Sequence, residues 1–329
     1  MKKYVGIIGM GTYVPEKVMT NEMLEGMVET NDEWITQRTG IKERHIIDDD
    51  MPIYEMGVKA AGKALKQATC APEEIDLIIA ATSTPDAIVP NVSCGVQNGI
   101  GAVNAAAFDI SAACTGFIYA LSIARQFIEC GTYKKILVVS CEALSRYVDW
   151  TDRRTCILFG DGAGAAVVSE VENEYGIITD DLGADGTQGN LITMPLSFFT
   201  QKDIEERNGE TKHTLWMEGG SVLKFAVRIM EQSTNKVLQK AGINVNDVKY
   251  VIPHQANIRI IDGAAKRLKL KDDQMIANID KYGNTSSASI MIALDEALKA
   301  GKISKGDWIV LVGFGGGLTW GGILMKWAI

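Results

Sequence analysis

The chain has only three histidines among its 329 residues, no CxxC pair, and nowhere the run of about 18 apolar residues that a bilayer-crossing helix needs. The missing run excludes a membrane-spanning helix. The amino-terminal MKKYVGIIG stretch lacks the small-residue cleavage pattern of a secretory signal, so a soluble cytoplasmic protein is expected. Without CxxC pairs or histidines at zinc-finger spacing, the six cysteines carry no metal or redox motif, and no metal is expected. Scattered cysteines of this kind are ordinarily buried small hydrophobes in a reducing compartment. Basic charge is also in deficit: 33 Lys and Arg against 41 Asp and Glu give −8, which opposes general affinity for nucleic acid or anionic membranes but allows a local basic patch. Nucleotide loops are missing as well. The segment from Gly9 places Val14 and Pro15 where GxGxxG needs its third glycine, and Gly160 to Gly164 lacks a Lys-Ser/Thr ending.

What is present is a compact globular composition, 47% hydrophobic and 22% charged, long enough for one large or two ordinary domains. Its main organising feature is an internal repeat. Residues 64–83 (ALKQATCAPEEIDLIIAATS) align without gaps to 237–256 (VLQKAGINVNDVKYVIPHQA), each reading as a helix end, an acidic turn and an apolar strand. Residues 114–131 lie over 284–301, again without a gap, so that Cys114 and Asn284 would begin equivalent helices. Each is followed by an apolar β-branched run, at 136–140 and 308–312, that reads as a buried parallel strand. The expectation is a duplicated α/β chain, 1–174 carrying the nucleophilic cysteine and 175–329 carrying a histidine and an asparagine, with 181–220 as a polar excursion.

Three polar groups fall where open α/β sheets place their ligands, at strand ends or helix starts. Residues 105–110 read as a strand, 111–113 as a tight turn and 115–129 as an amphipathic helix, which puts Cys114 at a helix N-terminus. There the dipole favours a thiolate, and thiol pKa values can fall to roughly 3.5–7.5. His45 and His213 sit among charged or polar neighbours and read as solvated residues, whereas His254 leaves an apolar strand within HisGlnAlaAsn. Asn284 lies in a small-residue turn and reads equally as a helix N-cap or a functional carboxamide. The Gly313 to Gly322 run follows the last parallel strand, as a backbone cradle for an oxyanion or as a plain glycine turn.

Residues 109–117 (DISAACTGF), 254–257 (HQAN), 282–286 (YGNTS) and 313–322, with 30–41 (TNDEWITQRTGI) and 158–165 (LFGDGAGA), closely resemble β-ketoacyl-acyl-carrier-protein synthase III, from the first strand to the last. The resemblance implies a thiolase-like five-layered αβαβα fold, a homodimer, and a decarboxylative Claisen condensation of an acyl-CoA primer with malonyl-acyl-carrier protein. It makes Cys114 the acyl acceptor, His254 and Asn284 hydrogen-bond donors to the malonyl thioester, and the N–H groups of Cys114 and Gly316 the oxyanion donors. It further assigns Thr30, Trp34, Arg38, Arg153, Gly219 and Asn257 to coenzyme A, with no cofactor beyond that thioester substrate. Elongating condensing enzymes pair their cysteine with two histidines; here a Cys-His-Asn set is the only one available.

A charge run is ordinarily a solvated face, but Lys224, Arg228, Arg259, Lys266, Arg267, Lys269 and Lys271 next to HisGlnAlaAsn also fit docking of an acidic carrier protein. In the loop 85–90 (PDAIVP), Val89 stands where the family commonly has a bulky aromatic reaching into the partner's acyl pocket, and Leu223 where some members have phenylalanine. A pocket wide enough for branched or longer primers is therefore expected. Two other readings stay open: a related condensing enzyme of secondary metabolism with another acceptor, and a non-catalytic acyl-binding or scaffold protein. A dinucleotide oxidoreductase is the weakest of the alternatives.

Overall fold

The computed structural model describes residues 3–195, 202, 205 and 213–329. Two sheets dominate it. In the first, the strands run in the order Val5–Tyr13, Asp161–Glu170, Lys135–Ala143, Leu77–Ala81, Ala106–Ile110. In the second the order is Gly176–Ala184, Thr319–Lys326, Trp308–Gly315, Tyr250–Pro253. Leu77 pairs with Ile136 in one sheet, and its repeat counterpart Tyr250 pairs in parallel with Ile309 in the other. The counterpart of the Ala106–Ile110 strand has shrunk to a single parallel bridge between Val251 and Met275.

The strands read as continuous apolar runs because both faces of each sheet are covered. Along Leu77–Ala81, Leu77, Ile79 and Ala81 face one core while Ile78 and Ala80 face another. Ile309 and Leu311 against Val310 and Val312 repeat this alternation in the second sheet. Between the sheets lie the helices Gly116–Glu129 and Ser289–Lys299, in a core with Phe117, Leu121, Ile290 and Leu294. Outside the first sheet pack Ile53–Ala68 and Val92–Ile100; outside the second pack Gly219–Ala241 and Ile258–Leu268. The result is five layers, αβαβα, from two duplicated halves. Among the described residues no helix is long and apolar enough to cross a membrane.

Helix ends follow local chemistry. Glu218 accepts from Ser221 N at 2.6 Å to start Gly219–Ala241, and Gly242 ends it at φ 68°. Asn257 accepts from Arg259 N at 2.9 Å to start Ile258–Leu268.

Two expectations need correction. The polar excursion does not begin at residue 181, because Gly176–Ala184 is the edge strand of the second sheet. It starts at Asp185, and part of it, 196–201, 203–204 and 206–212, lies outside the described residues. Cys114 and Asn284 also do not begin equivalent helices. The one-turn helices Ala113–Thr115 and Ser286–Ala288 are the matching pair, each starting on a left-handed residue, Ala113 at φ 47° and Ser286 at φ 49°. Cys114 therefore corresponds to Ser287. The ungapped alignment holds at the helix ends but slips at their starts, because Ser289–Lys299 has 11 residues and Gly116–Glu129 has 14.

Leu311 has no exposed surface and sits at the middle of the central core. Leu311→Ala is expected to destabilise the fold by about 2–5 kcal/mol, read as a lower urea midpoint with an unchanged slope.

Candidate active site

The chain reaches Cys114 from the Ala106–Ile110 strand through a turn that Ala113 bends into the left-handed region. Thr115 fastens this turn, donating to Ala112 O at 2.6 Å and meeting Thr319 Oγ1 at 2.8 Å. The other side of the turn is Gly315, and a Cβ added there would stand 2.7 Å from Cys114 N, so only glycine lets the two backbones approach. The glycine run is thus the end of the Trp308–Gly315 strand and its hairpin, laid against the cysteine rather than free in solution.

Cys114 is half-buried, with Ser286 Oγ 3.4 Å from its sulfur. The expected lowering of its pKa is not met. Burial pushes the thiol up to about 12 and the Glu142 carboxylate adds to the rise, against the Ser286 hydroxyl and the local backbone N–H. The helix proper begins only at Gly116, which sets the cysteine one short turn ahead of it.

His254 leaves the Tyr250–Pro253 strand and is almost wholly buried, its ring edge-on to Phe314 at 5.5 Å. Its Nδ1 lies 2.7 Å from Ser289 Oγ, and that oxygen already accepts from Gln255 N at 3.2 Å. With the serine hydroxyl donating to Nδ1, the ring proton sits on Nε2 and that edge is a donor. Asn284 is also buried; its Oδ1 accepts from Ser286 N at 2.9 Å, leaving the amide Nδ2 as the group that can donate. Its backbone is clamped by Leu158 O and Gly160 N, at 2.8 and 3.1 Å. Asn284 is not the helix N-cap, since the short helix Ser286–Ala288 is preceded by Thr285; its Oδ1 contact is a local turn bond, and Nδ2 stays available to the cavity.

Cys114, His254 and Asn284 all line one cavity of about 1100 Å³. Gly316, Trp34, Arg38, Arg153, Gly219, Asn257, Leu223, Lys224 and Arg259 line it too. Arg38 and Arg153 lie over the Trp34 ring, 4.7 and 5.2 Å from its centroid, and Arg153 donates to Glu29 O at 2.7 Å. Thr30, Val89, Lys266 and Arg267 are not among the lining residues. Thr30 encloses its hydroxyl oxygen without a hydrogen-bond partner. Val89 is 83% exposed beside Ile88 at 77%. Arg267 pairs with Glu231, and Lys266 is exposed farther along the same helix. His45 is packed rather than solvated, stacked on Tyr282 at 5.6 Å with Nδ1 near Pro15 O.

Family models described as 3-oxoacyl-[acyl-carrier-protein (ACP)] synthase III and its C-terminal part match residues 108–186 and 238–327. A curated beta-ketoacyl-[acyl-carrier-protein] synthase III from Caldanaerobacter subterraneus is 52% identical over 323 residues, covering 98% of each chain. The chain belongs to the β-ketoacyl-[acyl-carrier-protein] synthase III family. A crystal structure of 3-oxoacyl-[acyl-carrier-protein] synthase III from Aquifex aeolicus superposes with a TM-score of 0.91 at 47% identity, covering 98% of this chain and 100% of that one. The priming beta-ketosynthase of the R1128 polyketide pathway reaches the same TM-score, 0.91, at 36% identity, covering 99% and 97%. As a member of the family the protein is an acyltransferase of the condensing-enzyme type.

The sequence reading of this synthase III chain missed Glu142, Ser286 and Ser289, which form the hydrogen bonds around Cys114, His254 and Asn284. Glu142 had a signal: it is a lone acid near the end of the largely apolar strand Lys135–Ala143, where an unsatisfied charge would be costly. Ser286 and Ser289 had none, since a serine in a small-residue turn looks like any other.

Burial takes the His254 pKa from 6.5 down to about 3, so the ring is neutral. The folded value lies below the unfolded one. Its contribution to stability is therefore complete above pH 6.5 and is lost as pH falls toward 3. By NMR, the His254 Cε1–H resonance is expected to stay flat between about pH 5 and 9; a midpoint near its ordinary value would refute the buried neutral ring.

Proposed function

We propose that the protein initiates fatty acid synthesis by joining an acyl-CoA primer to malonyl-acyl-carrier protein through an acyl-Cys114 intermediate. The observation that carries this reading is the convergence of a cysteine sulfur, a neutral imidazole and a carboxamide in one cavity. Acyl-CoA enters past Trp34, Arg38 and Arg153, whose aromatic face and guanidinium groups suit an adenine and its phosphates. Gly219 and Asn257, which line the same cavity, complete the coenzyme A site. Cys114 attacks the thioester carbonyl, the N–H groups of Cys114 and Gly316 receive the oxyanion, and coenzyme A leaves as its thiol. Malonyl-carrier protein then binds with its thioester oxygen toward His254 Nε2–H and Asn284 Nδ2. Loss of carbon dioxide leaves an enolate that those two neutral donors stabilise. Its carbon attacks the acyl-Cys114 carbonyl, the carbon–sulfur bond to Cys114 breaks, and the β-ketoacyl-carrier protein is released as the sulfur regains its proton. No metal or redox step is required, because the thioester and the departing carbon dioxide drive the reaction.

The carrier protein docks on the basic face made by Lys224, Arg259, Lys266 and Arg267. The first two stand at the cavity and the last two farther along the helix Ile258–Leu268, which supports a docking surface leading into the site. The chain works as a cytoplasmic homodimer. The Ala106–Ile110 strand leaves one edge of its sheet unpaired, and exposed Val103, Ile88 and Val89 support pairing there. Val89 then borders the partner's acyl pocket opposite Leu223, giving room for branched or longer primers.

Incubation with a panel of acyl-CoAs, followed by mass spectrometry, is expected to place the acyl group on Cys114. Addition of malonyl-carrier protein is expected to yield a β-ketoacyl product, and Cys114→Ala to abolish loading. Use of another acceptor in place of the carrier protein would favour a role in secondary metabolism, the context of the structurally similar polyketide priming synthase. Arg259→Glu is expected to raise KM for malonyl-carrier protein severalfold while sparing loading; equal effects on both steps would reject the docking surface.

A further inference from the structure

Glu142, at the end of the Lys135–Ala143 strand, has no exposed surface. Its hydrogen-bond partners are neutral. Oε2 accepts from Ser83 N at 3.0 Å and from Thr84 Oγ1 at 3.1 Å, and Oε1 accepts from Ser287 Oγ at 2.7 Å and from Ser286 Oγ at 3.0 Å. A carboxylate buried on hydroxyls and one amide costs stability that an apolar side chain would not. The reaction described above makes no use of it.

Ser286 joins this carboxylate to the nucleophile, its Oγ lying 3.0 Å from Glu142 Oε1 and 3.4 Å from Cys114 Sγ. It has a single hydroxyl hydrogen. When Glu142 is ionised, that hydrogen goes to the charged acceptor, and the serine oxygen turns a lone pair toward the thiol. We propose that Glu142, acting through Ser286, receives the Cys114 proton as the acyl group is loaded. The thiol proton passes to Ser286 Oγ while the serine proton passes to Glu142 Oε1. The sulfur then attacks the thioester carbonyl, the carbon–sulfur bond to coenzyme A breaks, and the proton returns along the same path to the departing coenzyme A thiolate. Glu142 is thus a positioning residue for proton transfer, not one that touches substrate.

The relay resolves the electrostatic problem at this site. The carboxylate disfavours a thiolate at Cys114. Moving one proton between them leaves a single negative charge, on oxygen before the attack and on sulfur during it. Burial raises the Glu142 carboxyl above the ordinary carboxylate range, which makes it a better proton acceptor. Cys141 and Tyr147 also lie within its field, and burial raises both, so they remain neutral. His254 is a poor substitute because its buried ring resists protonation and its Nδ1 is engaged by Ser289.

This inference rests on acyl loading at Cys114, so the wild-type protein is measured first by quenched-flow intact mass against acyl-CoA; failure to load overturns the proposed function itself. With loading established, Glu142→Gln is expected to load about 100-fold more slowly at neutral pH. Its rate should climb steadily with pH, whereas the wild-type rate levels off once Glu142 is ionised. Ser286→Ala cuts the link while leaving the carboxylate in place on its bonds from Ser83, Thr84 and Ser287, and should show the same slow, climbing profile. Ala113, at the matching left-handed position of the other half, shows that alanine is accommodated there, so this variant decides the matter if Glu142→Gln does not fold. Wild-type rates in either folded variant, or slower loading with an unchanged profile shape, would overturn the relay.

Discussion

The active site depends on one packing constraint: two short turns, one from each half of the duplicated chain, meet back to back between the sheets. Each turn begins on a residue forced into the left-handed region, Ala113 in one and Ser286 in the other. Each is braced by a strand end of the opposite half. Gly315 closes on the Cys114 turn, with no space for a side chain, and Glu142 receives the hydroxyls of Ser286 and Ser287 in the other turn. The duplication thus delivers two similar pieces of backbone to the same place and gives them different chemistry, a bare backbone on one side and a carboxylate on the other.

Enclosure follows from this arrangement and sets the electrostatics. The imidazole and the carboxylate are buried and the cysteine half-buried, and burial drives each group toward its neutral form. A neutral histidine suits a reaction whose negative charge appears on the substrate. Such a ring can donate a hydrogen bond from Nε2 without first taking up a proton when the Ser289 hydroxyl donates to Nδ1. The same burial works against a resting thiolate, so the dipole of a following helix does not by itself account for nucleophilicity at Cys114. A nearby acceptor for the thiol proton is then the natural complement.

Much of the fold was legible because apolar runs bounded by turn residues declare buried strands, and the repeat of 64–83 at 237–256 survives in the register of the two sheets. Cys114, His254 and Asn284 were legible as polar groups at the ends of such elements. Illegible were the slip at the helix starts, since spacing cannot show which end of a shortened helix keeps register, and the last part of the edge strand Gly176–Ala184, which from Asp181 on read as polar excursion. Asp181 is accommodated there by Ser233 and Lys236 from the long outer helix, a contact far away in sequence.

The sequence by itself determined the elements, the duplicated α/β order, the family and three polar side chains at the ends of those elements, because period, punctuation and residue type are local properties. The tertiary structure decided the burial of the histidine against Ser289, the raised pKa of the thiol, and the alignment of Glu142 and Ser286 behind it. These depend on which groups exclude water together, and residues more than a hundred positions apart become neighbours only when the two halves close on each other.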